Sequence, residues 1–248
     1  LGKILDRGAV SSLIVSRAVY AINWYNVATV FAFVAYDFGQ NISGLGIITA
    51  SFYLGVSFQV LGGILAARLG PKKTAIYGML LMSAAAILTG FTSIFYEFVV
   101  LRFFEGVGMA LNFGSGVTLV AKYFRRESQG FGVGIFNAVA YVGGILGVFA
   151  WSVLAEFAGW RMSLAISGAL GVSSAILLFT YVPKDEQKTF AIKLVDLRRV
   201  LLDKWLVLLS LQLFGMSSGS ILITTFMVFY LEKSLERSVC ITSVRNAI

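Results

Sequence analysis

The stretch Gly63-Ile64-Leu65-Ala66-Ala67-Arg68-Leu69-Gly70-Pro71-Lys72-Lys73 joins two apolar runs, residues 43–66 and 74–95, neither of which contains a charged residue. A helix needs roughly 20 mostly apolar residues to cross a hydrocarbon core of about 30 Å, and both runs are long enough. The short connection holds three cations, Arg68, Lys72 and Lys73, around Gly70. Glycine permits a tight reversal at the membrane surface, and the cations anchor the turn on one side of the bilayer. The reading is therefore two adjacent membrane spans joined by a basic turn.

Working outward, apolar runs of spanning length occur at residues 11–36, 43–66, 74–95, 97–121, 131–155, 163–182 and 205–231. Polar or turn-forming residues separate them: 37–41, 68–73, 93–97, 122–129 and 156–161, then Pro183–Lys204, which carries ten charges in 22 residues. The expected organisation is a six-helix unit over 1–183, a charged linker over 184–204, a seventh span over 205–231 and a polar tail over 232–248. The non-methionine start, Leu1, and the lack of an eighth span suggest part of a longer protein with a missing carboxy-terminal half.

Composition agrees, with 58% hydrophobic and 13% charged residues and a mean hydropathy of +0.86, against about 25% charged in soluble domains. The net charge of +8 does not point to nucleic acid, because the basic residues lie in the gaps between apolar runs. With the start placed inside, the inner segments hold fourteen Lys and Arg: two at 3–7, three at 68–73, three at 122–126 and six at 184–204; the outer loops hold one, Arg161. The amino terminus is therefore expected in the cytoplasm and the chain in the cell membrane, with the lipid bilayer as its solvent. One cysteine, Cys240, and no histidine exclude a disulfide framework and the usual zinc and histidine-based catalytic sites, so neither cofactor nor metal is expected.

The turn at 63–73 resembles the signature of the major facilitator superfamily: Gly, three residues, Asp, Arg, one residue, Gly, one residue, two basic residues. Gly63, Arg68, Gly70, Lys72 and Lys73 match; Ala67 stands where the family has an aspartate that latches the cytoplasmic gate. Helix 4 carries a second likeness, Arg102-Phe103-Phe104-Glu105-Gly106-Val107-Gly108, similar to the family's arginine followed by polar and small residues. The resemblance implies an all-α membrane protein: a six-helix bundle of major facilitator type followed by a seventh spanning helix. It also implies secondary active transport of a small solute by alternating access, with protons as the driving ion and helices 1, 4 and 7 lining the cavity. Helix 5 lacks the proline usual in the family's drug antiporters, which disfavours that activity.

An arginine within a span costs about 2.5–3.5 kcal/mol on insertion scales and needs a partner. Glu105, three residues along helix 4, is within reach of Arg102, and Asn112 is expected to join them along the same helix. Helix 1 offers Arg17, Tyr20, Asn23 and Asn26, and helix 7 offers Gln212. These eight residues form the candidate substrate and proton cavity; the two arginines favour an anionic solute, though a neutral polar solute stays open. Small residues at 62, 66 and 70, at 130 and 134, and at 143 and 147 read as helix-packing faces. Competing classes fare less well. A seven-helix retinal protein needs a lysine inside its last span, and none lies between Lys204 and Lys233. A receptor or other non-transporting membrane protein is the alternative. A membrane enzyme lacks visible catalytic groups.

Overall fold

The computed structural model describes residues 6–184 and, between 202 and 223, scattered positions and short runs. The chain divides into two units, 1–191 and 192–248. In the second, Lys204 and Trp205 are helical, and Asp203 accepts the backbone N–H of Trp205 (2.9 Å). Most of the seventh span and the tail beyond it lie outside the described residues.

Among its described residues the first unit is built of helices: α1 (Arg7–Trp24), α2 (Asn26–Phe38), α3 (Ile42–Val56), α4 (Gln59–Leu69), α5 (Pro71–Gly90), α6 (Phe95–Tyr123) and α7 (Gln129–Tyr181). Asp6 starts α1 by accepting Ala9 N–H (3.0 Å), and Asn41 starts α3 by accepting Ser43 N–H (2.9 Å). Two of the expected spans are interrupted: α1 and α2 form one, Arg7–Phe38, and α3 and α4 another, Ser43–Leu69. The fifth and sixth form the two arms of α7, which breaks at Gly159 (φ 81°, ψ 157°). Ser163 donates to the Trp151 carbonyl (3.3 Å), twelve residues earlier, so the arms lie side by side. Positive φ occurs at Gly39, Gly70 and Gly159, each at a chain reversal where a side chain would be strained.

Close backbone approach holds the bundle together. A Cβ on Gly106 would lie 2.2 Å from the Phe52 carbonyl, and one on Gly55 only 2.1 Å from that of Phe103, so α3 and α6 touch through their backbones. Gly78 and Gly108 join α5 to α6 in the same way. The packing expectation holds for Gly62 against α6 and for Gly143 and Gly147 against α1, but not for Gly130 and Gly134. Those two face open space among the described residues: they lie on the arm's outer side, where spacing alone gives no direction.

Alternation of the spans puts the basic loops 68–73 and 122–126 at one end. Lys72 donates to the carbonyls of Phe179 (2.8 Å) and Val182, pinning the 68–73 turn to the last turn of the sixth span. At the opposite end, Asp37 Oδ2 accepts from Trp160 Nε1 (2.8 Å) and Arg161 Nη1 (2.6 Å), while Arg161 Nη2 reaches the Thr92 carbonyl (3.3 Å). This knot ties the first, third and sixth spans. Between the two ends the core includes Tyr20, Phe52, Met79, Met82, Met109 and Ala175.

Candidate functional site

Midway along the bundle, α2, α6 and the second arm of α7 bring four polar side chains together. Arg102 Nη1 donates to Glu105 Oε2 (2.6 Å) and to Asn26 Oδ1 (3.0 Å). Asn26 Nδ2 in turn donates to Glu105 Oε1 (3.0 Å) and Ser167 Oγ (3.3 Å). Glu105, Asn26 and Ser167 are each 0% exposed and Arg102 is 4% exposed. The guanidinium carbon of Arg102 also lies 4.4 Å from the Phe52 ring centroid, a cation–π contact from α3. A buried ion pair needs such additional hydrogen bonds, because taking both charges out of water costs more than a bare contact returns. The arrangement holds one carboxylate and one guanidinium side by side in the interior of the bundle.

The expected Arg102–Glu105 pair is thus present, with Asn26 at its centre. Asn112 does not join it: Asn112 Nδ2 donates to the Ala75 carbonyl (2.9 Å) and fastens α6 to α5. The same-side argument from spacing ignored that nearer helices compete for the amide. Ser167 was missed, although Ser163, Ser167 and Ser174 recur on the sixth span at helical spacing.

Arg17 stands apart from this network. Its guanidinium carbon lies 4.7 Å from the ring centroid of Tyr20, 4.9 Å from that of Phe113 and 5.1 Å from that of Phe136. Its Nε and Nη1 are buried with no hydrogen-bond partner among the described residues, and so are both side-chain polar atoms of Asn23. Rings from α1, α6 and the first arm of α7 therefore hold a cation of which two nitrogens, Nε and Nη1, lack a hydrogen-bond partner among the described residues. Tyr20 also stacks near Trp24, with centroids 5.8 Å apart. Gln212 lies on the helical stretch of the second unit. Of the gate motif, Gly70 makes the reversal (φ 92°), Lys72 caps the sixth span, Arg68 and Lys73 are exposed, and Gly63 faces open space.

Comparison with known proteins agrees with this architecture. The Major Facilitator Superfamily description matches residues 13–243. A probable sulfoacetate transporter of Cupriavidus necator is 30% identical over 165 residues, which cover 66% of this chain and 38% of that protein. A probable galactarate/D-glucarate transporter of Escherichia coli K12 is 27% identical over 160 residues, covering 62% and 36%. The chain thus spans well under half the length of these curated relatives. A crystal structure of a peptide transporter in complex with sulfate superposes with a TM-score of 0.63 at 13% identity, covering 88% of this chain and 46% of that one, a likeness of fold alone. With six packed spans, a basic turn of the right spacing and a match over most of its length, this membrane chain belongs to the Major Facilitator Superfamily of transporters.

Proposed function

We propose that the chain forms one wall of a secondary active transporter that moves a small organic anion by alternating access, driven by protons. The observation that carries the solute class is Arg17, a buried cation with two unsatisfied N–H-bearing nitrogens and aromatic rings as its neighbours. Leaving such donors unmade is costly, and a carboxylate or sulfonate is the group that satisfies a guanidinium best. Two relatives are named for sulfoacetate and for galactarate and glucarate, which are organic anions and support the same class.

In this reading the solute's acidic group approaches Arg17 from the cavity, with Tyr20 and Asn23 on the same helix shaping the site. A carboxy-terminal half supplies the second wall. The Asn26–Arg102–Glu105 network serves the driving ion: protonation of Glu105 frees Arg102 from its partner and changes the packing of α2 against α6 and the sixth span. The basic loops face the cytoplasm, and the protein works in the cell membrane.

The test is uptake in proteoliposomes containing the complete transporter. Saturable uptake of small dicarboxylates or sulfonates, but not of neutral sugars, is expected, with loss in Arg17→Gln and partial recovery in Arg17→Lys. Uptake of neutral solutes that survives Arg17→Gln would overturn the anion reading. Residues 1–248 reconstituted alone should show no saturable uptake.

A further inference from the structure

At the end opposite the basic loops, α5 and α6 part to leave an open cleft of about 560 Å³ lined by Leu88, Phe91, Thr92, Tyr96, Glu97, Val100 and Leu101. The cleft follows from how the helices pack. Their backbones touch where Gly78 and Gly108 face each other, since a Cβ on either would come within 2.6–2.7 Å of the other's carbonyl oxygen. Gly78 lies ten residues before Leu88, about 15 Å along the helix. At that end Leu88 of α5, Phe91 just past its last turn and Leu101 of α6 line the cleft. The floor is apolar, and a cleft between two helices in a bilayer gains dispersion contacts only when something fills it.

The mouth has its own chemistry. Phe91 and Tyr96 are 74% and 78% exposed, at the level where aromatic rings mark the membrane–water interface. Arg161, which reaches the Thr92 carbonyl, has its charge matched by Asp37 at 2.6 Å. Glu97, exposed in the first turn of α6, has no hydrogen-bond or ion-pair partner among the described residues. The cleft therefore pairs an apolar floor of acyl-chain character with one uncompensated negative charge at headgroup depth.

We propose that this cleft is a binding site for a phospholipid whose headgroup bears a primary amine, with an acyl chain along Leu88, Val100 and Leu101 and the ammonium on Glu97. A purely anionic headgroup would be repelled by the same carboxylate. None of its lining residues belongs to the Asn26–Arg102–Glu105–Ser167 network or to the Arg17 site.

The test uses the purified chain in nanodiscs with equal phosphatidylethanolamine and phosphatidylglycerol, followed by extraction into mild detergent and quantification of retained lipid by native mass spectrometry. An exposed ion pair is worth up to about fivefold in binding, so retained phosphatidylethanolamine should exceed phosphatidylglycerol by about two- to fivefold. Glu97→Gln should bring that ratio to about one with an unchanged thermal midpoint, since Glu97 makes no contact that folding needs. Leu88→Trp, which fills the cleft, should lower retention of both lipids. Equal retention by the wild type, a preference that survives Glu97→Gln, or cysteine cross-linking of Tyr96→Cys between two copies regardless of lipid would each overturn the proposal.

Discussion

Removing Glu105 alone strands a cation. In Glu105→Leu, Arg102 Nη1 loses its 2.6 Å acceptor and keeps Asn26 Oδ1 at 3.0 Å and the face of Phe52. Guanidinium cannot give up its proton inside a protein, so the charge stays and its desolvation goes uncompensated. Breaking a buried pair in this way costs about 3–5 kcal/mol. Arg102→Met is the milder change, because a carboxyl group, unlike a guanidinium, has a neutral form. With both charges gone, the double variant should lie within about 1 kcal/mol of wild type, since apolar replacement of a buried pair is often neutral. With the double variant near wild type, the coupling between the two sites is then at least of the size of the Glu105→Leu cost, about 3–5 kcal/mol. Reversible unfolding of the detergent-solubilised chain, followed by far-UV circular dichroism for all four proteins, measures it. Single variants that each cost under about 1 kcal/mol, or a double variant that costs their sum, would refute the claim that the two side chains stabilise one another.

In the complete transporter, Glu105→Gln should abolish proton-driven accumulation while sparing solute exchange; parallel loss of both would leave the pair a purely structural role. Gly106→Ala places a methyl 2.2 Å from the Phe52 carbonyl and should lower stability by roughly 1–3 kcal/mol, whereas Gly134→Ala, with open space around it, should leave the thermal midpoint unchanged. Cysteines introduced at Ser93 and at Gln187, with Cys240 replaced, should differ in labelling by an impermeant thiol reagent added outside intact cells. Ser93→Cys should react and Gln187→Cys should not; equal labelling would reverse or dissolve the proposed topology.

The spans, their order, the basic turns and the family motif were legible in the sequence because each rests on a local quantity. Hydropathy over about 20 residues decides whether a segment prefers lipid, and Gly70 and Gly159 mark reversals through their own backbone freedom. The Arg102–Glu105 pair was legible too, since both residues lie on one helix three positions apart. What the sequence left open was the rotation of each helix about its axis and the neighbour it meets. That is decided by which backbones touch, through Gly55 and Gly106 or Gly78 and Gly108, and no single segment carries that information. Hence Asn26 rather than Asn112 completes the ion pair, Ser167 enters from a helix that reads as aliphatic, and Arg17 finds rings from residues 113 and 136, far along the chain. A polar side chain takes the partner that packing brings within 3 Å, and only the assembled bundle sets which partner that is.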